Sequence, residues 1–367
     1  MKEGKSMKLQ DMHKISKLIS EIENRLADEL SRDLFYIRLK NMIYRNENEL
    51  IHEIFNIGEK YGRMWEIPKL DEVYESITDI AGIVIFGCGV VGRQAYRLLR
   101  ASRYKDVPLF FCDNKAANWG EGISGCKVIS PHQLISHYRD CICIVGSSRY
   151  RHDIFEQLLE EGFPKNRIVY SGASAVYGTI GWQYFDYLSP EKNEVFIDGG
   201  IYDGTSSGDF VKWTNGKYEA IYGFEANPYC IEKCRRFYTD HKIHNVEFIG
   251  KGLWDKKAKL GFAGDFSQAS RLSDEGNEVV DLDSIDNVLK GRKATFIKMD
   301  IEGAEYRALL GAKETIKKYR PRMALSVYHK PQDIIEIPAL LLEYSGDYKF
   351  ALRQYTSIAD ETILYVF

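Results

Sequence analysis

The sequence lacks the features that mark several broad classes of protein. Its 367 residues carry a formal net charge of only -3, and no basic stripe is interleaved with aromatic residues. Nothing in the charge pattern therefore favours nucleic acid or an anionic membrane as a partner. No apolar run is long enough to span a membrane. The opening residues, MKEGKSMKLQ, lack the apolar core of a signal peptide. These absences favour a globular protein of the cytoplasm.

Cysteine is present but is not spaced for a disulfide framework or a metal site. The seven cysteines are an odd number, they lack paired CxxC spacing, and most fall inside strand or helix patterns. They are Cys88, Cys112, Cys126, Cys141, Cys143, Cys230 and Cys234. We therefore expect buried free thiols, which fit a reducing compartment.

Length and composition bound the domain organisation. With 44% hydrophobic and 28% charged residues, the chain can bury large cores and holds enough residues for two domains and a helical extension. Changes of pattern along the chain predict a helical extension at 1–75, a Rossmann-like α/β domain at 76–172 and a second α/β domain at 173–367.

The amino-terminal extension is predicted to be helical. From Leu9 to Leu30, apolar residues recur at steps of three and four, which places them on one face of a helix. Further helices are predicted from Arg32 through Met42 and around Glu47–Ile57. These helices can dock on a neighbouring domain or pair between subunits. A homo-oligomer is therefore one possible assembly.

A glycine-rich turn follows the first predicted strand. The strand IVIFG leads into GCGVVG, which gives the GxGxxG pattern at Gly87, Gly89 and Gly92, and Asp113 follows about twenty positions later at the end of a second strand. One interpretation is a site for a dinucleotide or a nucleotide-sugar. The other is that the glycines only permit close packing of helix and strand. NAD-linked redox chemistry is less favoured than either, because the motif is not followed by a tyrosine-lysine pair or another set of residues that catalyses hydride transfer.

A second glycine-rich turn opens the carboxyl-terminal domain. The segment EVFIDGGIYDGT reads as a buried strand that ends at Asp198, a turn that contains Gly199, Gly200 and Gly204, and a helix from Thr205. Nucleotide-like ligands bind at such turns in α/β sheets.

Strands and helices alternate through the rest of this domain. The alternation and a final β-hairpin predict an α/β fold with a doubly wound sheet that has an antiparallel strand near one edge. After the first strand, the predicted strands are Glu219–Glu225, Val246–Trp254, Ala294–Asp300, Met323–His329, Tyr348–Tyr355 and Thr362–Phe367.

Two carboxylates indicate the charge of the ligand. Asp198 and Glu225 end adjacent predicted strands and so face one crevice, where Glu225 can bind both hydroxyls of a ribose. Asp198 and Asp203 would repel phosphate, so a cationic or neutral group fits this turn better. S-adenosylmethionine, which carries an ammonium and a sulfonium, meets that condition, and NAD does not.

The chain resembles the FkbM-type family of S-adenosylmethionine-dependent methyltransferases in a series of motifs. They are DGGIYDGTS, FEANP, GLW, IKMDIEGAE, RPRMALSVYH and the terminal ETILYVF. The likeness covers about Gln183 to Phe367, and ADELSR and QYF resemble segments that flank this domain in longer members. The resemblance implies the class I methyltransferase fold, a seven-stranded doubly wound sheet. The Rossmann-like domain resembles modules found beside sugar-modifying enzymes.

The resemblance also implies which residues hold S-adenosylmethionine. The first turn would hold the methionine part, Glu225 with its neighbours would hold the ribose, and GLW would flank the adenine. The implied binding residues are Asp198, Gly199, Gly200, Asp203, Gly204, Thr205, Glu225, Ala226, Asn227, Gly252, Leu253 and Trp254. The chain departs from the family at Ile201 and Tyr202, where alanine and asparagine are common.

The expected reaction is O-methylation of a sugar or glycan. Methyl transfer requires in-line alignment, and a neutral hydroxyl also needs a base within hydrogen-bond reach. Asp300 and Glu302 at the end of one predicted strand, and His329 at the end of the next, are the candidates. The alternatives are capping of the following helix for the two acids, a structural hydrogen bond for the histidine, and a divalent cation held by all three. No oxygen-rich ligand set is visible in the sequence, so no metal-binding residue is assigned.

Two other functions stay open at this stage. The protein could work through its amino-terminal domain as a nucleotide- or NAD-binding protein, or bind S-adenosylmethionine or a glycan without turnover. Acceptor choice is expected to involve the helical extension, the Rossmann-like domain and Phe262–Arg271. Lys298, on the opposite face of its strand from its apolar neighbours, is either a solvated charge or a substrate contact.

Overall fold

The structure, a computed structural model, describes residues 9–62, 66–123, 125–147, 150–169, 181–263, 271–272 and 278–367. Contacts divide the chain into two compact units. One contains the chain up to Leu50 together with Gly181–Tyr355 and Asp360–Phe367. The other contains the described residues from Ile51 onward in the amino-terminal half, together with Thr356–Ala359. The sequence-based domain boundaries stay a prediction.

Two helices open the described chain, α1 (Leu9–Glu23) and α2 (Glu29–Tyr44). The single helix predicted to reach Leu30 is therefore wrong. The chain breaks because Asp28 caps a new helix, and its side chain accepts a hydrogen bond of 2.8 Å from the backbone N–H of Ser31.

The next stretch of chain forms a small α/β unit on a six-stranded sheet. Its elements are α3 (Glu47–Lys60), α4 (Pro68–Glu75), β1 (Ile83–Phe86), α5 (Val90–Arg100), β2 (Leu109–Cys112), β3 (Gly120–Ile123), β4 (Cys126–Ile129), α6 (Pro131–His137), β5 (Ile142–Val145), α7 (Arg151–Glu160) and β6 (Ile168–Val169). The strand order is β3-β4-β2-β1-β5-β6, and only the β3–β4 pair is antiparallel.

The carboxyl-terminal half forms a larger α/β unit. Its elements are β7 (Glu194–Gly199), α8 (Thr205–Trp213), β8 (Tyr218–Phe224), α9 (Pro228–Asp240), β9 (Val246–Ile249), β10 (Gly252–Leu253), β11 (Ala258–Ala263), β12 (Arg271–Leu272), β13 (Glu278–Asp283), α10 (Ile285–Leu289), β14 (Phe296–Met299), α11 (Glu305–Leu310), α12 (Lys313–Tyr319), β15 (Arg322–Ser326), α13 (Asp333–Tyr344), β16 (Phe350–Gln354) and β17 (Thr362–Val366).

The main sheet of this unit has seven strands in the order β16-β17-β15-β14-β7-β8-β9. Strand β17 is antiparallel to both of its neighbours, and the other pairs are parallel. This order confirms the prediction of a doubly wound α/β sheet with an antiparallel strand near one edge, the arrangement expected for a class I methyltransferase.

An aromatic cluster lies against the central strands of this sheet. Phe196 of β7 stacks on Phe210 of α8 at 4.3 Å between ring centroids, and Phe296 of β14 lies in register beside Phe196. Parallel strands covered on both faces are expected to carry such continuous apolar runs. The packing fixes the register of β7 against β14, and that register decides which polar residues meet at the strand ends.

The predicted strand Val246–Trp254 is wrong as a single element. Strand β9 ends at Ile249, and β10 belongs to a second, four-stranded sheet with the order β10-β13-β11-β12. Part of the segment expected to influence acceptor choice, residues 264–270, lies outside the described residues.

The link between α1 and α2 attaches to an edge strand of the main sheet. Leu26 forms an isolated bridge with Phe350 of β16, and the backbone N–H of Ala27 donates to the Phe350 carbonyl at 2.9 Å. Asp28 forms an ion pair of 2.7 Å with Arg353. Leu26 and the ADELSR segment that follows it therefore cover the β16 edge within their own unit.

The cysteines and the apolarity of the helices can be compared with the expectations from the sequence. All seven cysteines are buried and free, which confirms the prediction of buried thiols. Among the described residues, no helix combines the length and apolarity required to cross a bilayer.

Candidate active site

The glycine turn after β7 and the end of β14 lie side by side. The backbone N–H of Asp300 donates to the carbonyl of Gly199 at 3.1 Å. A Cβ on Gly200 would lie 2.0 Å from the Asp300 carbonyl oxygen, and Gly200 has a φ of +75°. The close approach requires glycine at this position. It also places the turn expected to hold the cofactor next to the residues expected to act on the acceptor.

Asp198 is a fully buried residue that organises this turn. The register of β7 and β14 places it opposite Lys298, whose Nζ lies 3.4 Å from the Asp198 Oδ1 atom. The hydroxyls of Ser206 and Ser207 both donate to Oδ2 at 2.7 Å. The Asp198 side chain is 0% exposed, so it stabilises the turn through hydrogen bonds inside the protein.

Lys298 is buried beneath the same turn. Its Nζ donates to the carbonyl oxygens of Gly199 at 3.0 Å and Gly200 at 2.7 Å, and lies 5.3 Å from the centre of the Tyr184 ring. The side chain is 3% exposed, so the interpretation of Lys298 as a solvated charge is wrong. A buried cation therefore ties the strand end to the glycine backbone.

Glu225 follows β8 and contacts the same turn. Its Oε2 atom accepts a hydrogen bond of 3.0 Å from the Tyr202 N–H, and Oε1 accepts one of 2.8 Å from the Asn227 N–H. Burial raises the pKa of Glu225, although these backbone bonds and the charge of Lys298 partly offset the rise. Each carboxylate oxygen can accept a further bond, so Glu225 keeps capacity for a ligand.

The residues expected to flank the adenine lie close to the turn. A Cβ on Gly252 would lie 3.3 Å from the Ala226 Cβ, and a Cβ on Gly199 would lie 2.8 Å from the Leu253 Cδ1 atom. Trp254 and Ala226 pack against the same small apolar cluster on β13. The structure thus brings together the β8 end, β10 and the glycine turn.

The end of the turn is held by local contacts. The Asp203 Oδ1 atom accepts hydrogen bonds from the Thr205 N–H at 3.0 Å and from its hydroxyl at 2.7 Å. Gly204 has a φ of +95°, and a Cβ there would lie 2.8 Å from the Phe237 ring. These contacts begin helix α8 directly beside the crevice.

A set of hydroxyls and carboxylates surrounds Asp300. The Tyr184 hydroxyl donates to Asp300 Oδ2 at 2.7 Å. The Tyr328 hydroxyl lies 3.2 Å from Asp300 Oδ1 and 3.3 Å from Glu361 Oε1, and the Gln183 side chain donates to the other Glu361 oxygen. Side chains from the start and the end of the unit therefore meet at one strand end.

His329 lies between three carboxylates. Its Nε2 atom is 3.5 Å from Asp300 Oδ1 and 3.6 Å from Glu302 Oε2, and its Nδ1 atom is 3.0 Å from Glu305 Oε1. Burial lowers the pKa of His329, but the three acids, Glu305 foremost, outweigh it and raise the pKa to about 9. The imidazole is therefore protonated at neutral pH.

The acids of the cluster titrate over different ranges. Burial, with a contribution from the Asp300 charge, raises the pKa of Glu302 to about 7 even though His329 lowers it. Burial and Asp300 also raise the pKa of Glu361 to about 7. For Asp300, burial raises the pKa, but the charges of Lys298 and His329 outweigh it and the pKa lies below its usual value.

A family model matches the part of the chain that contains most of this site. Residues 198–350 match the family model described as the methyltransferase FkbM domain. We refer to this matched part of the chain as the FkbM domain. The resemblance inferred from the motifs is confirmed. Residues 80–169 match a second family model, described as C2185-like, N-terminal.

Several solved methyltransferase structures are similar to the chain. A methyltransferase FkbM from Methylobacillus flagellatus KT is 19% identical, with a TM-score of 0.46, over 88% of this chain and 100% of that chain. An rRNA methylase from Streptococcus thermophilus is 15% identical, with a TM-score of 0.31, over 48% of this chain and 86% of that chain. Aeropyrum pernix fibrillarin, in complex with natively bound S-adenosyl-L-methionine, is 11% identical, with a TM-score of 0.31, over 49% of this chain and 69% of that chain. No curated protein matches the chain.

Among the residues that the structure describes, one group could hold a metal ion. Asp300, Glu305 and His329 offer ligand atoms within 4.8 Å of one another. The imidazole, however, directs Nδ1 to Glu305 and Nε2 to Asp300, so a single ion could not take the ring and both acids without rearrangement. A protonated imidazole between carboxylates fits this geometry better, and no metal-binding residue is assigned.

The helix-capping alternative for the two acids finds no support in the FkbM domain. The N-cap of α11 is Ala304, and it makes no side-chain hydrogen bond. The Ile301 N–H is instead bound by Glu305 of the helix itself, at 2.9 Å. Asp300 is bound by the Tyr184 and Tyr328 hydroxyls instead, and Glu302 has a left-handed φ of +55°.

Besides Gln183 and Glu305, sequence reasoning missed three further side chains of this cluster. Tyr184 lies in QYF, Tyr328 directly precedes His329, and Glu361 opens the terminal ETILYVF. All three stand inside segments that resemble the FkbM family. Their positions in the chain gave no sign that they would meet at the end of β14.

Proposed function

We propose that the protein transfers a methyl group from S-adenosylmethionine to a hydroxyl group of a sugar or glycan. The observation that carries this proposal is the contact between the glycine turn and the acid cluster, in which the Asp300 backbone adjoins Gly199 and Gly200. The cofactor and the acceptor would then bind within reach of each other.

The residues around the turn fit a cationic cofactor. Gly200 brings the turn into direct contact with the Asp300 backbone, where a Cβ would clash. Asp203 and Glu225 make the surroundings acidic, which favours the ammonium and sulfonium of S-adenosylmethionine over a phosphate, whereas the buried charge of Asp198 is paired with Lys298 and supports the turn from below. When bound, this cofactor supplies an activated methyl carbon. Glu225 would accept the ribose hydroxyls.

Supporting residues would complete this pocket. Gly199, Gly204 and Thr205 would shape the methionine end, Asn227 would fix Glu225 through its backbone N–H, and the segment containing Ala226, Gly252, Leu253 and Trp254 would flank the adenine.

Glu302 is the best suited of the candidate bases. Its pKa of about 7 leaves a useful ionised fraction at neutral pH while keeping it basic. Its side chain is 39% exposed, so a substrate can reach it. Asp300 is a weaker base because its pKa lies below the usual value, and His329 already carries a proton. Glu302 would take the proton of the acceptor hydroxyl, while the cofactor would supply the methyl group and leave as the demethylated thioether.

The neighbours of Glu302 would keep the site aligned. Ionised Asp300, fixed by the Tyr184 and Tyr328 hydroxyls, offers an acceptor to a second hydroxyl of the substrate. Protonated His329 lies beside Glu302 and favours its ionised form. A crevice with several carboxylates and phenol groups suits a ligand that has many hydroxyls, which supports a sugar over an apolar acceptor.

Labelled methyl transfer tests the substrate class. The full chain is incubated with S-adenosylmethionine that carries a labelled methyl group and with a carbohydrate extract. We expect label in a saccharide fraction, and less of it with Asp300→Asn or His329→Ala. Label confined to protein or to small amines would overturn the proposed acceptor.

A further inference from the structure

We infer that the amino-terminal α/β unit binds a ribonucleoside diphosphate in the cavity at the end of β1. The cavity has a volume of about 520 Å³ and is lined by the GxGxxG turn, the loop after β2 and the loop after β5. Its size falls within the range of small-molecule sites. This site is separate from the proposed methyl transfer.

The cavity lies where the chain order of the sheet reverses. Strand β1 pairs with β2 on one side and with β5 on the other, all parallel. Ligands of open α/β sheets bind at the carboxyl ends of the strands at this switch point. Gly87 follows β1 and Gly146 follows β5, and both line the cavity.

Packing explains two of the three motif glycines. A Cβ on Gly92 would lie 1.9 Å from the Gly87 carbonyl oxygen, so close contact of helix and strand requires glycine there. Gly87 has a φ of +124°, and a Cβ on it would lie 2.7 Å from the Gly146 carbonyl oxygen. These two residues would be glycine in an empty module as well.

Gly89 is not explained by packing. Its φ of -74° suits any residue, and a Cβ there would meet nothing within 4 Å. It is the N-cap of α5 and has no side chain to cap the helix, where serine or aspartate would stabilise the helix by roughly a few tenths of a kcal/mol. A bare helix N-terminus that opens into a cavity is accounted for by an anionic group of a ligand that approaches the backbone.

An acidic residue stands where a ribose would be bound. Asp113 follows β2 and lines the cavity. Its Oδ2 atom accepts the Cys88 N–H at 2.9 Å and its Oδ1 atom accepts the Lys115 N–H at 2.8 Å. The carboxylate is thereby fixed at the mouth of the glycine turn, and each oxygen can accept one more hydrogen bond. Tyr150, 53% exposed, supplies an aromatic surface on the cavity wall.

The test uses two substitutions at Gly89 that have nearly the same shape. Gly89→Asp places a negative charge where the phosphate would bind, and Gly89→Asn is its neutral control. Neither meets a steric obstacle at Cβ, and both residue types are good helix N-caps, so both variants should fold. Asp113 is a poorer choice, because its replacement would also release the Cys88 and Lys115 N–H groups.

Calorimetric titrations of the full chain would use UDP, ADP and NAD, with excess S-adenosylhomocysteine present to fill the methyltransferase domain. We expect at least one of them to bind the unaltered chain, and to bind Gly89→Asn more weakly by no more than about tenfold, because the neutral side chain hinders the approach of the ligand to the backbone. Binding to Gly89→Asp should be weaker by about a hundredfold, because like charges lie close together. UDP and ADP test for a free nucleoside diphosphate, and NAD tests whether the site binds a nucleotide as part of a dinucleotide.

Two results would overturn the inference. One is the absence of binding by all three ligands at millimolar concentration. The other is equal binding by the two Gly89 variants. Methyl transfer measured on the same samples separates this site from the proposed enzymatic function, because loss of nucleotide binding in Gly89→Asp should leave the labelling reaction intact.

Discussion

Replacement of Glu302 by glutamine tests the proposed base most directly. The change keeps the size and hydrogen-bonding shape of the side chain but removes its ability to take a proton. General base catalysis contributes about 10² to 10⁴ in rate, so kcat should fall by that factor. The corresponding rise in the activation barrier is about 3 to 5 kcal/mol.

The pH dependence gives the sharper signature. Because the pKa of Glu302 is raised to about 7, kcat/KM of the unaltered enzyme should rise with pH up to about 7 and then level off. It should fall again above about 9, where His329 loses its proton. In Glu302→Gln, the rise of kcat/KM with pH near pH 7 should be absent. The assay is transfer of labelled methyl groups in buffers of constant ionic strength from pH 5.5 to 10.

Stability supplies an independent check on the same residue. The pKa of Glu302 is raised from 4.5 in the folded protein, so its ionised form disfavours folding. That penalty is absent below about pH 4.5, grows as the pH rises to about 7, and then stays constant. Glu302→Gln should therefore be at least as stable as the unaltered chain at pH 8 in urea unfolding.

The control is Glu314→Gln, at an exposed position of α12, which should change neither rate nor pH profile. A Glu302→Gln enzyme with kcat within about threefold of normal and an unchanged limb near pH 7 would refute the assignment. Destabilisation at pH 8 would contradict the assumed origin of the raised pKa.

Three further substitutions test the glycine turn and its supports. Lys298→Met should lower the free energy of unfolding by about 3–5 kcal/mol, because it leaves a buried carboxylate without its cation; a loss below about 1 kcal/mol in urea would count against this. Glu225→Gln should weaken calorimetric binding of S-adenosylmethionine about a hundredfold. Glu247→Gln, on the exposed side of β9, should leave the affinity unchanged, and equal affinities of the two variants would exclude a ribose contact. Gly200→Ala should abolish that binding, because its Cβ would lie 2.0 Å from a neighbouring carbonyl oxygen. Gly291→Ala, with a φ of +83° but open space around Cβ, should lose about 1 kcal/mol of stability and no affinity.

The central strands of the FkbM domain were predictable because their burial on both faces leaves continuous apolar runs in the sequence. Strands β7 and β14 are of this kind, and their polar ends, Asp198 and Asp300, marked the crevice. The four-stranded sheet was not predictable in the same way. Its strand β12 has only two residues, and β10 continues the apolar pattern of β9 across Gly250, so local periodicity did not separate the two sheets.

The acid cluster was only partly predictable, because its members come from distant parts of the chain. Gln183 and Glu361 are 178 residues apart in sequence, and no local spacing relates them. The burial of Lys298 follows from its register opposite Asp198, which depends on strand order and not on the alternation within β14. Sequence gives the types of residue at the strand ends, and pairing between strands decides which of them meet.

The bridge between the α1–α2 link and β16 matters for any attempt to isolate the methyltransferase domain. In the whole chain, the β16 edge is occupied by Leu26 and Ala27 and by the ion pair of Asp28 with Arg353. A fragment that began near residue 181 would leave a row of backbone donors and acceptors open to other chains. Such a fragment would be prone to self-association, and a useful truncation must retain the ADELSR segment together with α2.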